Sequence, residues 1–382
     1  MAFGQRKSIV RSAGNVNILI LFSQPWRVGG AETHVEAFMQ GLTGHTLFLT
    51  VNEGSDTDKL RHLQKKFPNV KVIKIQARGA NIFRWISDIK SLCTFIKKEH
   101  IQVISAQQRT AGIWAYIIRH YTRVPYTVTM HDPWHRAMFK SVYAKIFSHV
   151  FCVSRNLSDT LQKNFGFFPE QIQLINNGID FKEFKPKDKQ KCRQELGLDQ
   201  TAPLALHVSR LSRVKGAVAL QIIDSMPKVL QKRPEAKLIL IGEGPLRATI
   251  NEKILAFNQQ YGDKIQIYDF VSSLTEWYNA ADILIGEGRV AMETLACLKP
   301  IVAIRNADTF IGAVNEDNIA YACAVNFDGK DQPVNADNMA SAMDLAFQLE
   351  QEESQKIANY IKDRLSLDTM AQAYIDVFKR II

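Results

Sequence analysis

Val16-Asn-Ile-Leu-Ile-Leu-Phe22, followed by Gly29-Gly30 and a helix-patterned stretch from Glu32 to Gly41, is the segment on which the fold turns. A short apolar run, a glycine-bearing loop and an amphipathic stretch make the opening of a β-loop-α unit. The pattern repeats. Strand-like runs at 45–51, 71–75, 101–105, 126–130 and 149–153 alternate with helix-like runs at 57–67, 81–99, 110–121 and 137–147. Such alternation predicts a parallel sheet with helices on both faces. A helix near 155–165 and an apolar run at 172–175 lead into Asn176-Asn-Gly-Ile-Asp180, after which the composition turns polar and lysine-rich. That shift places a domain boundary near residue 185. A second series starts at 203–208 and continues through strands at 237–241, 265–268, 282–286 and 300–304. Open parallel sheets bind ligands at the carboxyl ends of their strands, so two of them predict a cleft lined by loops from both.

Composition bounds the function classes. The chain has 382 residues, 46% of them apolar and 23% charged, which excludes a disordered or fibrous protein and leaves room for two domains. Its apolar runs are far shorter than the ~20 residues of a membrane-spanning helix. Residues 1–15 are basic without an apolar core, so they read as a solvated leader and not a secretory signal, and a cytoplasmic location is expected. Five cysteines (Cys93, Cys152, Cys192, Cys297, Cys323) form no C-x-x-C pair, which predicts buried, reduced thiols. The net charge of +10 is uneven: residues 1–190 hold 27 Lys and Arg against 13 Asp and Glu, and residues 191–382 hold 21 against 25. A basic first half is suited to an anionic partner.

Four segments of the second half carry the chemistry: Val208-Ser-Arg-Leu-Ser-Arg-Val-Lys-Gly216, Leu238-Ile-Leu-Ile-Gly-Glu-Gly-Pro-Leu-Arg247, Ala281-Asp282 with the strand after it, and Val290-Ala-Met-Glu-Thr-Leu-Ala-Cys-Leu-Lys-Pro-Ile-Val302. In their order and spacing, together with Asn177-Gly-Ile-Asp180 and Gly29-Gly-Ala-Glu32, they resemble the family 4 glycosyltransferases of the two-domain GT-B type. The resemblance spans nearly the whole chain. It implies an α/β fold of two doubly wound, Rossmann-like domains facing each other across a cleft. Residues 16–184 would be the acceptor-binding domain and 185–366 the nucleotide-sugar-binding domain, with a last helix at 367–382 returning to the first.

Arg210 and Lys215 lie five residues apart on a loop leaving a strand end, where a guanidinium fork and an ammonium can both meet one diphosphate. The resemblance implies that they hold the pyrophosphate of a nucleoside diphosphate sugar and stabilise the leaving nucleotide; Arg213 reads as exposed. Glu293 lies in a helix-like stretch, 289–298, and by resemblance accepts hydrogen bonds from the ribose diol. Gly288, Arg289 and Val290 open that stretch, where backbone N–H groups face phosphate, and complete the donor-binding set with Gly29, Gly30 and Glu287. The sequence departs from the family at Ile285, where a first Glu that contacts the transferred sugar is usual. Glu287 is near it but out of register, and either reaches the sugar from a shortened loop or is solvated. Leu298 stands where Gly is common. In the first half, His131 follows the strand 126–130, and the resemblance sets it against the donor sugar, with Asp132 either orienting the ring or capping the next turn. Gly29 and Gly30 allow close backbone approach to a ligand.

Basic residues cluster at Lys59, Arg61, Lys65, Lys66, Lys71 and Lys74, and again at Arg136, Lys140 and Lys145 among Trp134, Met138, Phe139, Val142, Tyr143 and Phe147. The second cluster reads either as a solvated helix face over core residues or as an interfacial helix in peripheral contact with the inner face of an anionic membrane. The resulting expectation is a retaining, metal-independent hexosyltransferase, with no cofactor beyond its donor substrate and a glycan or lipid-linked acceptor such as those of polysaccharide or lipopolysaccharide biosynthesis. Two rivals share the scaffold: a nucleotide-sugar epimerase or hydrolase, and a non-catalytic nucleotide-sugar or glycan-binding subunit. No nucleic-acid signature is present, and Gly242-Glu-Gly244 lacks the third Gly of a dinucleotide fingerprint.

Overall fold

The computed structural model describes residues 14–27, 29–77, 81–133, 137–271 and 273–382. The leader, apart from residues 14 and 15, and the Trp134 and Arg136 of the basic cluster therefore lie outside the described residues. The chain forms two compact units. The first comprises residues 1–151, 161–173 and 375–382, and the second 152–160 and 174–374.

The first unit is built on β1 (Asn17–Phe22), β2 (Thr46–Asn52), β3 (Lys71–Ile75), β4 (Val103–Gln107), β5 (Tyr126–Met130), β6 (Val150–Cys152) and β7 (Ile172–Leu174), in the order β3-β2-β1-β4-β5-β6-β7. β1 is parallel to both β2 and β4. Ile18 to Phe22 are fully buried, as a central strand covered on both faces requires. Local chemistry sets the helix ends: the Asp56 carboxylate accepts from the Asp58 and Lys59 amides at the start of Thr57–Lys66, and Lys65 and Lys66 close it. Phe378, in the last helix, sets its ring edge-on to Phe38 and Phe151.

The second unit repeats the plan with β8 (Leu204–Val208), β9 (Lys237–Ile241), β10 (Ile265–Tyr268), β11 (Ile283–Gly286), β12 (Ile301–Ile304), β13 (Thr309–Ala313) and β14 (Gln332–Pro333), in the order β10-β9-β8-β11-β12-β13-β14. β12 pairs antiparallel with β13, and β13 with β14, so this sheet is not the wholly parallel one expected. The two added strands escape a period-based reading because β13 is five residues long with Gly312 within it and β14 is two residues long. In both sheets the strand order reverses beside the first strand, between β1 and β4 and between β8 and β11. Such switch points are where open α/β sheets leave a crevice for ligands.

Two further expectations are corrected, and the expectation of reduced thiols agrees with the structure. The helix expected at 137–147 is confined to Lys140–Ile146. Phe147 beyond it is core, whereas Met138, Phe139 and Val142 are exposed. The helix expected near 155–165 is a short α-helix, Arg155–Thr160, that widens into a π-turn over Leu161–Phe165. All five cysteines are free thiols, and four are buried.

Candidate active site

In the second unit the loop after β8 carries Arg210, and its shape is set by the loop after β9. Ser209 N donates to Ile241 O and Leu211 N to Glu243 O, at 3.0 and 2.8 Å. This close apposition requires glycine. A Cβ on Gly244 would fall 2.5 Å from the Leu211 carbonyl, and one on Gly242 would collide with that of Ser209; both residues have positive φ. The Gly242-Glu-Gly244 motif thus shapes the cation loop, and Arg247 braces it by donating to Gly242 O and Tyr268 O. From below, the buried His207 ring bonds Ile285 O through Nδ1 (2.8 Å) and Ser209 Oγ through Nε2 (2.9 Å). Burial lowers the His207 pKa to about 4, so the ring is neutral, with Nδ1–H donating and Nε2 accepting.

Arg210 is exposed. Ser212 caps the helix Arg213–Lys232 by accepting from the Lys215 amide, which sets the Lys215 side chain one turn in. Lys215 Nζ lies 2.6 Å from Glu287 Oε1, with the Lys215 side chain 36% and the Glu287 side chain 15% exposed. Glu287, left open between sugar contact and solvation by the sequence, is therefore an ion-pair partner of the diphosphate-binding candidate. It is also the N-cap of the helix Gly288–Ala296. Gly288, at φ 55°, donates to Asn326 O, and Asn326 Oδ1 is buried with no hydrogen-bond partner among the described residues. Asn326 and Phe327 are themselves left-handed, at φ 56° and 60°. Next to them the Asp328 carboxyl is raised in pKa by burial, against the pull of Arg305 at 3.0 Å, with the Glu287 charge adding to the rise.

Glu293 is 6% exposed. Its Oε2 accepts from the Tyr278 hydroxyl at 3.0 Å, and its Oε1 lies 3.1–3.2 Å from the Arg289 guanidinium, which also donates to Gly178 O. Burial raises the Glu293 pKa despite Arg289. Val290 packs over Gly286, where a Cβ would approach it to 2.9 Å. Ile285 is fully buried in β11. Tyr278 and Asp328 were not singled out from sequence; a tyrosine in Trp277-Tyr-Asn-Ala-Ala281 reads as core, and nothing near Asp328 marks it.

In the first unit Gly29 precedes the helix Gly30–Gly41, and a Cβ there would fall 2.5 Å from Glu32 Oε2, which folds back on it; Gly30 has open space around it. His131 follows β5, and its Nε2 lies 3.0 Å from Gln107 Oε1. Because the Gln107 amide nitrogen donates to Ser105 Oγ, its oxygen is left to accept from Nε2–H, and Nδ1 is the bare nitrogen. Gln107 thus orients the ring. His34 stands edge-on to it at 4.7 Å, and burial followed by the His34 charge holds the His131 pKa well below its ordinary value. Structure therefore joins His131 with the helix begun by Gly30, Lys215 with Glu287, and Glu293 with Arg289, and leaves Arg210 outside these pairs.

Two doubly wound units, one carrying Arg210 on a loop, Lys215 in the helix after it and a buried Glu293 in a second helix at its switch point, have the architecture of a two-domain glycosyltransferase. The profile of Glycosyltransferase Family 4 matches residues 28–183, and that of Glycosyl transferases group 1 matches residues 188–364. The chain belongs to the family 4 glycosyltransferases of the GT-B type. It is 30% identical over 147 residues to the D-inositol 3-phosphate glycosyltransferase of Segniliparus rotundus, a match covering 36% of this chain and 32% of that protein. It is also 30% identical over 157 residues to the GDP-mannose-dependent monoacylated alpha-(1-6)-phosphatidylinositol monomannoside mannosyltransferase of Corynebacterium glutamicum, covering 36% and 39%. The matches span about a third to two fifths of these curated relatives. Among solved structures, a glycosyltransferase from Rickettsia africae superposes with a TM-score of 0.75 at 20% identity, covering 97% of this chain and 99% of that one. Anabaena Alr3699/HepE in complex with UDP and glucose gives 0.71 at 16% identity, covering 96% and 100%. These likenesses show the fold.

Proposed function

We propose that this protein is a retaining glycosyltransferase that moves a hexose-type sugar from a nucleoside diphosphate sugar to an acceptor of the lipid-linked or cell-envelope glycan class. The observation that carries it is the Lys215 ammonium held at the N-terminus of the helix in which Glu293 is buried. Six residues of helix from Glu287 to Glu293 rise ~9 Å, a separation suited to one nucleotide with its phosphates at the helix start and its ribose further along. Arg210 and Lys215 then receive the departing diphosphate and supply the positive charge that a metal supplies elsewhere. Glu293 keeps lone pairs for the ribose diol, and the amides of Arg289 and Val290 face phosphate, that of Gly288 being spent on Asn326 O. Gly29, Gly30 and the neutral His131 position the sugar. The acceptor oxygen bonds to the anomeric carbon on the face from which the diphosphate oxygen departs, and the acceptor proton passes to that oxygen, so configuration is retained.

Support for a lipid-linked acceptor comes from the relatives whose names specify phosphatidylinositol mannoside and inositol phosphate. Exposed Met138, Phe139 and Val142 beside Lys140 and Lys145 favour peripheral contact with an anionic membrane. Among the described residues no helix is long and apolar enough to cross one. Charge reversal at Lys140 and Lys145 should reduce sedimentation with anionic liposomes, and unchanged sedimentation removes the membrane contact.

One observation favours a second reading: Ile285 buries an alkyl group where the family carries its sugar-contacting Glu, as a non-catalytic donor-binding subunit would tolerate. A thermal-shift panel of UDP-, GDP-, ADP-, CDP- and TDP-sugars, followed by an acceptor screen with NMR of the product anomer, separates them. Transfer with retention, lost in Lys215→Ala, is expected. Binding without turnover on any acceptor establishes the subunit, and free sugar or an epimer without acceptor establishes a hydrolase or epimerase.

A further inference from the structure

The first unit holds a cavity of about 520 Å³ at the amino-terminal ends of β5, β6 and β7. Arg119, Tyr126, His149, Glu170 and Arg380 supply its ionisable lining, and Pro125, Val150, Phe151, Val377 and Ile381 its apolar wall. His131 leaves the opposite end of β5, so the length of a five-residue strand, ~16 Å, separates it from the cavity.

The polar groups here are spoken for unequally. Gln171 spends its amide on Ala144 O and Phe147 O, and Tyr126 donates to Ile146 O. Among the described residues Arg380 donates through Nε to the carbonyl of Asp376, at 3.2 Å. Neither Arg119 nor Arg380 forms an ion pair among the described residues, and both act on the His149 imidazole, whose pKa is lowered by burial, then by Arg380 and then by Arg119. Glu170 is the one carboxylate of the lining and forms an ion pair with none of the three. Two guanidiniums on one cavity, neither ion-paired among the described residues, repel one another and disfavour a charged His149, and an anion removes that repulsion.

We infer that this cavity binds a phosphate ester, with the Arg119 and Arg380 forks and His149 on the phosphate and the organic portion against Pro125, Val150, Phe151 and Val377. Guanidinium forks match phosphate oxygens bidentately. The volume falls within the range of small-molecule sites and exceeds what bare phosphate fills, which is why an ester is the class named. The site is independent of the donor residues in the second unit and of Gly29, Gly30 and His131.

The test follows the His149 Cε1–H resonance by NMR in the full-length protein while glycerol 3-phosphate is added, with phosphatidylglycerol vesicles in a parallel arm to separate a free ester from a lipid headgroup. A saturating shift with a midpoint at or below about 1 mM is expected. It should weaken about tenfold in Arg380→Gln, less in Arg380→Lys, which keeps a point charge, and vanish in the Arg119→Gln, Arg380→Gln double variant. Both arginines are exposed, so these variants should keep the wild-type fold and the wild-type thermal shift with nucleoside diphosphates. A response to vesicles alone that disappears in the double variant also supports the site and assigns it to a lipid phosphate. An unmoved resonance in both arms up to about 20 mM ester, or a shift of the same size in the double variant, overturns it.

Discussion

Replacing Glu287 with Gln tests whether the carboxylate on Lys215 competes with the donor. The pair is 2.6 Å long, with the Lys215 side chain 36% and the Glu287 side chain 15% exposed. It sits between an open surface pair, worth ~0–1 kcal/mol, and a shielded charge-assisted hydrogen bond, worth ~1.5–3 kcal/mol. A contribution of about 1.5 kcal/mol is the middle of that range. Gln retains a neutral acceptor, roughly half as strong, so the substitution removes on the order of 1 kcal/mol from the ligand-free protein. That energy is what a diphosphate otherwise spends to draw Lys215 away, and the variant also deletes a negative charge beside the phosphates. Opposite changes in two observables follow: stability falls by about 1 kcal/mol, and diphosphate binding tightens about fivefold. Guanidinium melts give the first, and titration calorimetry with UDP and with GDP gives the second, with Lys215→Ala as a control that loses binding. Unchanged or weaker diphosphate affinity in a well-folded Glu287→Gln protein refutes the competition. If kcat alone falls, Glu287 contacts the transferred sugar instead.

Gly244→Ala places a methyl 2.5 Å from the Leu211 backbone, so the Arg210 loop must shift; a loss of at least about 2 kcal/mol and weakened diphosphate binding are expected, and a neutral variant would show that the loop yields. Leu298 holds φ 58°, a left-handed conformation costing ~1 kcal/mol for a side-chain-bearing residue. Leu298→Gly trades that strain for lost packing and should change stability by less than about 0.5 kcal/mol in thermal melts, whereas a loss above about 2 kcal/mol would make the side chain an anchor. The His207 pKa is lowered to about 4 from 6.5, so between those values the unfolded chain holds the extra proton. Its contribution to stability is complete above pH 6.5 and is lost as the pH falls towards 4, up to roughly 3 kcal/mol; guanidinium melts across that range should show the slope and His207→Gln should flatten it. His131 is held neutral by burial and the neighbouring His34, so the pH profile of turnover between pH 6 and 8 should be the same in His131→Asn, at a lower level. A limb present only in the wild type would show that His131 titrates in that range.

Much of this protein was written in one dimension. The apolar run at 16–22 and its successors specify strands because a central parallel strand must be apolar on both faces, and β1 is buried throughout. The order and spacing of the segments bearing Arg210, Lys215 and Glu293 mark one family, whereas the close backbone approach that requires Gly242 and Gly244 shows only in the fold. Pairings between distant segments were not legible, because side-chain contacts depend on which loops the sheets bring together. Glu287 looked solvated or sugar-facing until its helix start was placed beside the one that carries Lys215. Gln107 is 24 residues from the His131 it orients, yet they meet because β4 and β5 are neighbouring strands. Tyr278 reads as core in sequence and is the donor to Glu293 in space. The cavity at the amino ends of β5 to β7 draws its two arginines from helices 261 residues apart, Arg119 and Arg380. Periodicity records which face of an element is buried, and only the folded chain decides what lies against that face.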